Sequence, residues 1–189
     1  KAKSFSDRII TKWSGDISTC VIDRTFISNC FDLVIKSTIS PKHRAFQFRL
    51  LHRVLVTNKM LHDWKLRDNN LCSFCNLQPE SIIHMLWECT AVQNLWTSLF
   101  QWLEQITETN IRFNEKEILL GIEDRTFLMY NAVFILVKQF IYSCRCRNMP
   151  LSFVALKNNI QYYIKIEKYI AIKNNKLDYH NNKWALLFT

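Results

Sequence analysis

The stretch Cys72-Ser73-Phe74-Cys75, followed by His84 and Cys89, decides how this chain folds. Its spacing is C-x2-C-x8-H-x4-C, which puts four soft ligands within eighteen residues. Zn²⁺ prefers a tetrahedral shell of thiolate and imidazole ligands, and a closed shell of three Cys and one His is typical of a structural site. The alternative is a set of ordinary buried cysteines beside a chance histidine. The clustering favours one structural zinc ion held by Cys72, Cys75, His84 and Cys89.

Two local features would bring these ligands together. The Cys-x-x-Cys pair can hold the ion from one tight turn, and Asn76 and Pro79 supply the residues that turn the chain toward His84. His84 and Cys89 are five residues apart, which is about 140° on a continuous helix. Both can face one ion only if the helix is interrupted, and we expect that break at Glu88–Cys89.

Composition favours a helical protein. Only 2 of the 189 residues are glycine and 3 are proline, which leaves few turns and almost no bulges. Apolar residues make up 49% of the chain, enough for a packed core. The 7 cysteines are too few for a disulfide scaffold of this length, which favours an intracellular setting. The chain begins without Met or an apolar signal core and contains no long apolar run, so we expect a piece of a longer protein without a membrane span.

Caps and apolar periodicity predict helices along nearly the whole chain. Ser40-Pro41 combines a capping serine with proline at the first helical position. Thr90-x-x-Gln93 and Asn114-x-x-Glu117 each match the pattern of a capping box. The predicted helices cover about 17–37, 41–56, a short segment after Thr57, a short segment after Ser81, 91–106, a short segment closed by Gly121, 126–148 and 152–175.

Charge is divided into three blocks. Residues 1–67 hold thirteen lysines and arginines against five acidic residues, and residues 131–189 hold nine against two. Residues 68–130 hold three against nine, so two basic segments flank an acidic one. Basic surfaces of this kind attract polyanions, chiefly nucleic acid. The alternative is that these lysines and arginines are solvated helix faces that keep the protein in solution.

Basic residues repeat at helical spacing in two places. On a continuous helix from Pro41 to Val56, Lys42, Arg49 and Arg53 would lie within about 40° of one another, with His52 at the edge. On the last predicted helix, four lysines would lie within about 100°, opposite Ile160 and Ile164. The candidate phosphate-binding side chains are Lys42, Arg49, His52, Arg53, Lys59, Lys65, Lys157, Lys165, Lys168 and Lys176.

A set of motifs carries a family resemblance. Phe48–Arg53, Val56–Leu61, the Cys72-x2-Cys75 pair, His84–Cys89 and Leu95-Trp96 together resemble the zinc-binding region of LINE-type non-LTR retrotransposon reverse transcriptases. That region follows the polymerase, near the C-terminus of the second open-reading-frame protein. The resemblance is strongest over about 40–105. It continues more weakly through 118–121 and 133–147.

The resemblance implies an accessory region of a polymerase, with an all-α, bundle-like fold and an embedded CCHC zinc knuckle. We expect a basic helical segment at 1–67 leading from the polymerase, the knuckle and its following helix at 68–105, and a C-terminal helical segment at 106–189. We expect no enzyme activity, since a polymerase palm needs adjacent aspartates for its metal ions and this chain has no Asp-Asp. Expected partners are RNA or DNA phosphates and the polymerase portion, in a nuclear and cytoplasmic ribonucleoprotein.

Two functional hypotheses follow. The first is a zinc-binding domain that contacts the phosphates of template RNA, target DNA or their hybrid without reading sequence. The second is a zinc-stabilised protein-interaction module that docks on the polymerase body or a host factor through the acidic middle. Salt separates them, because phosphate binding weakens steeply with ionic strength and a largely apolar docking surface does not.

Overall fold

The computed structural model describes residues 5–17, 22–110 and 112–187, and the regular structure in these ranges is helical. An isolated β-bridge joins Leu71 to Pro79. The predicted all-α class is therefore confirmed. The helices are α1 (Phe5–Asp16), α2 (Arg24–Ser37), α3 (Pro41–Leu51), α4 (Asn58–Asp63), a π-helix (His84–Glu88), α5 (Thr90–Thr107), α6 (Glu115–Leu120), a 3₁₀ turn (Arg125–Phe127), α7 (Leu128–Cys146), α8 (Phe153–Lys173), α9 (Leu177–Trp184) and a 3₁₀ turn (Ala185–Leu187).

Most helix starts lie where the capping residues predict them. Ser40 caps α3 with Pro41 in its first turn, and Thr57 caps α4. The capping box at Asn114 is complete, because the Asn114 side chain accepts from the Glu117 N–H and the Glu117 carboxylate accepts from the Asn114 N–H. Ser152 caps α8 through a single bond, in which its side chain accepts from the Ala155 N–H. Local side-chain hydrogen bonds thus set these four boundaries.

The first predicted helix, 17–37, is wrong at its start. Ile17 continues the last turn of α1 through a 2.8 Å hydrogen bond from its N–H to the Trp13 carbonyl. The next helix, α2, begins at Arg24 because the Asp23 side chain caps it. Residues 18–21, which the prediction also placed in this helix, lie outside the described ranges.

The predicted helix 41–56 extends too far. It ends at Leu51, and Arg53 takes a left-handed conformation with φ of 56°. The N–H groups of Arg53 and Val54 then bond back to the carbonyls of Leu50 and Arg49, at 2.8 and 3.0 Å. This is a Schellman motif, which normally has glycine at the left-handed position. The same pair of bonds ends α4, α7 and α8, with Lys65, Asn148 and Asn175 in place of glycine.

The helix α9 was not predicted. It packs on α8 through a buried ion pair in which Lys183 Nζ donates to Glu167 Oε1 at 2.8 Å. Trp184 Nε1 donates to the same carboxylate at 2.8 Å, and Lys183 also bonds the Ser37 carbonyl at 2.7 Å. Because its buried side chains are largely polar, α9 has no apolar stripe by which the sequence could predict it.

The centre of the fold is α7, which packs against α2, α3, α6, α8, α9 and the π-helix. Its residues 129–139 are all buried. The segment Arg125–Cys146 has the length and hydropathy of a membrane span, but 72% of its most apolar window is buried inside the fold, as in a core helix. Lys138 is inside this core and donates to the carbonyls of Ile118 and Leu119 at 2.7 and 2.8 Å. Burial lowers the pKa of Lys138 well below its ordinary value.

Candidate metal centre

A tight loop presents the first two cysteines. The Cys72 N–H bonds the Gln78 carbonyl at 2.8 Å, and the Asn76 N–H bonds the Cys72 carbonyl at 3.0 Å. Asn76 is left-handed, with φ of 54°, which asparagine tolerates better than most residues. The loop therefore closes on itself and points both thiols to one side.

The π-helix allows the side chains of His84 and Cys89 to face the same ion. The Cys89 N–H bonds the His84 carbonyl at 2.9 Å, an i→i+5 hydrogen bond that widens this turn by one residue. Residues five apart then lie nearly above one another. Cys89 itself is extended, with φ of −60° and ψ of 130°, and α5 begins at the next residue. The predicted break at Glu88–Cys89 is confirmed, and the widened turn upstream of it completes the alignment.

The four side chains form one cluster. Their ligand atoms all lie within 4.8 Å of one another. Cys72 Sγ lies 3.8 Å from Cys89 Sγ, and Cys75 Sγ lies 3.4 Å from His84 Nε2. In a tetrahedral zinc site with Zn–S bonds of about 2.3 Å, two sulfurs are roughly 3.8 Å apart, and a sulfur and a nitrogen are slightly closer. These two separations match a tetrahedral zinc site, and the four side chains are enough to close its ligand shell.

The cysteine thiols differ in acidity. Burial raises the pKa of Cys72 to about 12. Burial also opposes ionisation of Cys75, but hydrogen bonds from the backbone at Leu77 and Gln78 and from His84 outweigh it and lower its pKa to about 6. Because zinc binds the thiolate, metal binding must displace the Cys72 proton, and zinc affinity rises with pH as that proton becomes easier to remove.

A buried carboxylate anchors the loop to the rest of the fold. Glu80 is fully buried and accepts from the Ser73 N–H and the Asn58 N–H, both at 2.8 Å. Arg145 of α7 donates from Nε to Glu80 Oε1 at 3.0 Å and from Nη2 to Asn58 Oδ1 at 2.7 Å. Asn58 also donates to the Leu71 carbonyl at 2.7 Å. The cysteine loop is thereby joined to α4 and α7 by bonds that involve no metal ligand side chain.

On the other side of the cluster, the start of α5 differs from the predicted capping box. Cys89 occupies the capping position, and Gln93 instead donates to the Trp87 carbonyl at 2.6 Å. The predicted capping box at Thr90 does not form, because α5 begins one residue earlier and Cys89 of the metal cluster is its N-cap. Trp96 is buried, donates to the Leu86 carbonyl at 2.9 Å and packs against Trp87, so it is a core residue beside the site.

The candidate basic residues differ in exposure. Arg53 is past the end of α3, pairs with Asp16 and stacks over Trp13 at 4.6 Å, so its predicted place on the α3 face is wrong. Lys176 lies past the end of α8, so its predicted place on the last long helix is also wrong. Lys157 is half-buried over Trp102. The exposed cations of the set are Lys42, Arg49, Lys59, Lys65, Lys165, Lys168 and Lys176.

His52 is poorly suited to a phosphate contact. Its ring packs against Phe31 and Phe48, with centroid distances of 5.0 and 4.2 Å. Burial lowers the pKa of His52 below its ordinary value, which favours the uncharged ring at neutral pH. Packing among aromatic rings thus accounts for this histidine.

Residues 19–96 match the protein family described as zinc-binding in reverse transcriptase. The matched stretch runs from before α2 into α5 and contains all four residues of the cluster. The matched family is a zinc-binding region rather than a polymerase or nuclease domain. No curated protein matches this chain.

Proposed function

We propose that this chain is an accessory region of a LINE-type reverse transcriptase and binds nucleic-acid phosphates, with one structural zinc ion fixing its fold. The observation that carries the proposal is the pair of exposed basic faces on α3 and α8. Lys42 and Arg49 lie on the outer side of α3, and Lys165 and Lys168 lie on the outer side of α8. Among the described residues, no carboxylate pairs with any of these four cations.

The buried basic residues, in contrast to the exposed ones, stabilise the fold. Lys138, Arg145 and Lys183 each bond backbone carbonyls or buried carboxylates and so serve the fold. Among the described residues, Lys42, Lys165 and Lys168 form no such bond, and Arg49 donates from Nε to the Ala45 carbonyl at 3.3 Å within its own helix. Surface cations without a carboxylate partner are suited to phosphate oxygens. Such contacts place a duplex or single strand without reading its sequence. The natural setting of this activity would be a ribonucleoprotein that includes the polymerase portion.

The role of zinc in this proposal is structural. The cluster joins the cysteine loop to the π-helix and the start of α5, whereas the exposed cations of α3 and α8 lie outside the segment that contains the ligands. Loss of the metal would therefore disturb the phosphate-binding faces only indirectly.

The α3 face can be tested by Lys42→Ala with Arg49→Ala. Each lost phosphate contact should reduce the slope of log affinity against log salt by about one unit, and the pair should weaken binding on the order of tenfold at physiological salt. Fluorescence anisotropy with a labelled single-stranded RNA and a matched DNA duplex, across a salt series, measures both quantities.

The matched control is Arg112→Ala with Arg125→Ala, which removes the same charge from two exposed residues in the acidic segment. It should leave binding nearly unchanged. Equal losses in the two double variants would mean that only net charge matters, and unchanged binding by the α3 variant would show that this face is solvated surface.

A second prediction separates a structural zinc ion from a contact surface. Cys75→Ser should lose the metal, because serine is a poor zinc ligand, and should loosen the cysteine loop and the start of α5. Nucleic-acid binding should fall only partly. Circular dichroism and the same anisotropy series measure the two effects, and complete loss of binding with the remaining helices intact would make the knuckle itself the contact surface.

A further inference from the structure

The outer side of α8 has a second apolar stripe. Tyr162, Ile166 and Ile170 are four residues apart and therefore follow one another along a single face. They are 66%, 39% and 37% exposed, while the opposite side of the helix is buried in the core. An exposed apolar stripe on a helix whose other face is already packed is typical of an interaction surface.

This stripe forms one wall of a groove. Near the end of α8, Ile170 lines a depression of about 650 Å³ together with Ile35 of α2, Ile39 of the α2–α3 connection and Tyr179 of α9. Ile39 and Ile170 also line a second depression of about 350 Å³, which extends toward Tyr162 and the start of α3. The two depressions therefore adjoin. From Tyr162 to Asn174 the groove follows α8 for roughly 18 Å, the length of a three-turn helix.

The exposed charged residues along the groove are basic. Lys36, Lys42 and Lys176 lie at its edges and are exposed. Among the described residues that line it, the acidic residue is Glu167, which is buried and neutralised by Lys183. Two histidines line it as well: burial lowers the pKa of His43 to about 4, and His180 is buried against the Ile164 carbonyl. A partner carrying carboxylates would therefore meet cations at the edges and no exposed acid within.

From this geometry we propose that the groove between α2, α8 and α9 binds an amphipathic acidic helix of a partner protein. Aliphatic anchors at i, i+4 and i+7 would contact the isoleucines, and flanking Glu or Asp would face Lys36 and Lys176. Ile35, Ile39, Ile166 and Ile170 give the groove an aliphatic lining, which favours aliphatic anchors. Tyr162 and Tyr179 also line it and could stack on bases, so binding of single-stranded RNA is tested as the competing outcome. The surface is distinct from the acidic segment 68–130 and goes beyond phosphate binding.

The probe is a labelled 15-residue peptide with Leu at the anchor positions and Glu beside them, titrated by fluorescence anisotropy into the whole chain. Ile35→Ser with Ile170→Ser should weaken its binding at least tenfold. Ile172→Ser is the matched control, because Ile172 is 52% exposed on α8 but does not line the groove, and it should change binding less than twofold. Circular dichroism verifies that each variant is folded.

Charge and competing ligands give the decisive comparisons. Lys36→Glu with Lys176→Glu should reverse the preference, so that a Lys-bearing version of the peptide binds better than the Glu-bearing one. Equal binding of a scrambled peptide, or no binding by the parent chain, would overturn the proposal. So would loss of single-stranded RNA binding in the Ile→Ser pair without loss of peptide binding, which would assign the groove to nucleic acid.

Discussion

One zinc ion per chain is the expected result of native mass spectrometry, and its removal by a chelator is expected to unfold part of the molecule. Structural zinc ions in small peptides contribute on the order of 10–16 kcal/mol of binding free energy at neutral pH, and this binding drives their folding. Here the helical core is larger than the metal site, and the Glu80 network attaches the loop at Ser73 to α4 and α7 without the metal. Loosening should therefore be confined to about 68–105.

Hydrogen exchange can resolve this pattern. After chelation, the amides of Cys72, Asn76 and Cys89 should lose protection, because their hydrogen bonds define the loop and the widened turn. Amides in the middle of α7 should keep theirs. Cys146→Ser is the control, since Cys146 is an exposed cysteine outside the cluster and its loss should leave the zinc content at one. A metal-free chain with full protection at the loop would contradict the structural role of zinc.

The second large effect is expected from Arg145→Met. This substitution leaves the Glu80 carboxylate buried without its cation, and breaking a buried pair from one side costs about 3–5 kcal/mol. The Glu80–Arg145 contact also joins the loop to α7, so zinc affinity should fall roughly 10- to 100-fold, as when groups that support metal ligands are removed. Urea unfolding and competition with a zinc chromophore measure the two losses.

Arg147→Met is the matched control, because Arg147 is exposed two residues further along and should change stability by less than about 0.5 kcal/mol. Adding Glu80→Gln to Arg145→Met should destabilise less than the two single effects combined, since the unpaired charge is then absent. Strict additivity of the two changes would show that the pair contributes nothing as a pair.

The metal ligands and most helix starts could be predicted because their signals are local. Cysteine spacing, a serine before proline and an Asn-x-x-Glu box each act within a few residues. The ion pair between Glu80 and Arg145 joins residues 65 positions apart. A contact between residues so far apart in sequence cannot be predicted from a local pattern. Glu80 lies in the acidic segment 68–130 of the sequence, whereas the fold neutralises it with Arg145 of α7.

Helix ends were harder to predict than helix starts for a related reason. Glycine usually marks a left-handed stop, and here Arg53 and Lys65 take that position without any compositional sign. The predicted helix therefore ran through Arg53, and an exposed cation was assigned where the fold makes an ion pair with Asp16. Similarly, α9 packs on α8 through the ion pair of Lys183 with Glu167. Because this pair forms only in the folded chain, the apolar pattern of the sequence did not predict α9.

The stops without glycine also affect the chain before it folds. A left-handed residue other than glycine costs the folded state about 1–2 kcal/mol, and less for asparagine. Glycine would relieve that strain but would give the denatured chain more backbone freedom to lose, by roughly 0.4–1 kcal/mol per position. The two contributions are of similar size and opposite sign. With only 2 glycines in 189 residues, the denatured chain has less backbone freedom to lose when it folds. In the folded state the same scarcity of glycine leaves backbone strain at the four left-handed helix ends, Arg53, Lys65, Asn148 and Asn175.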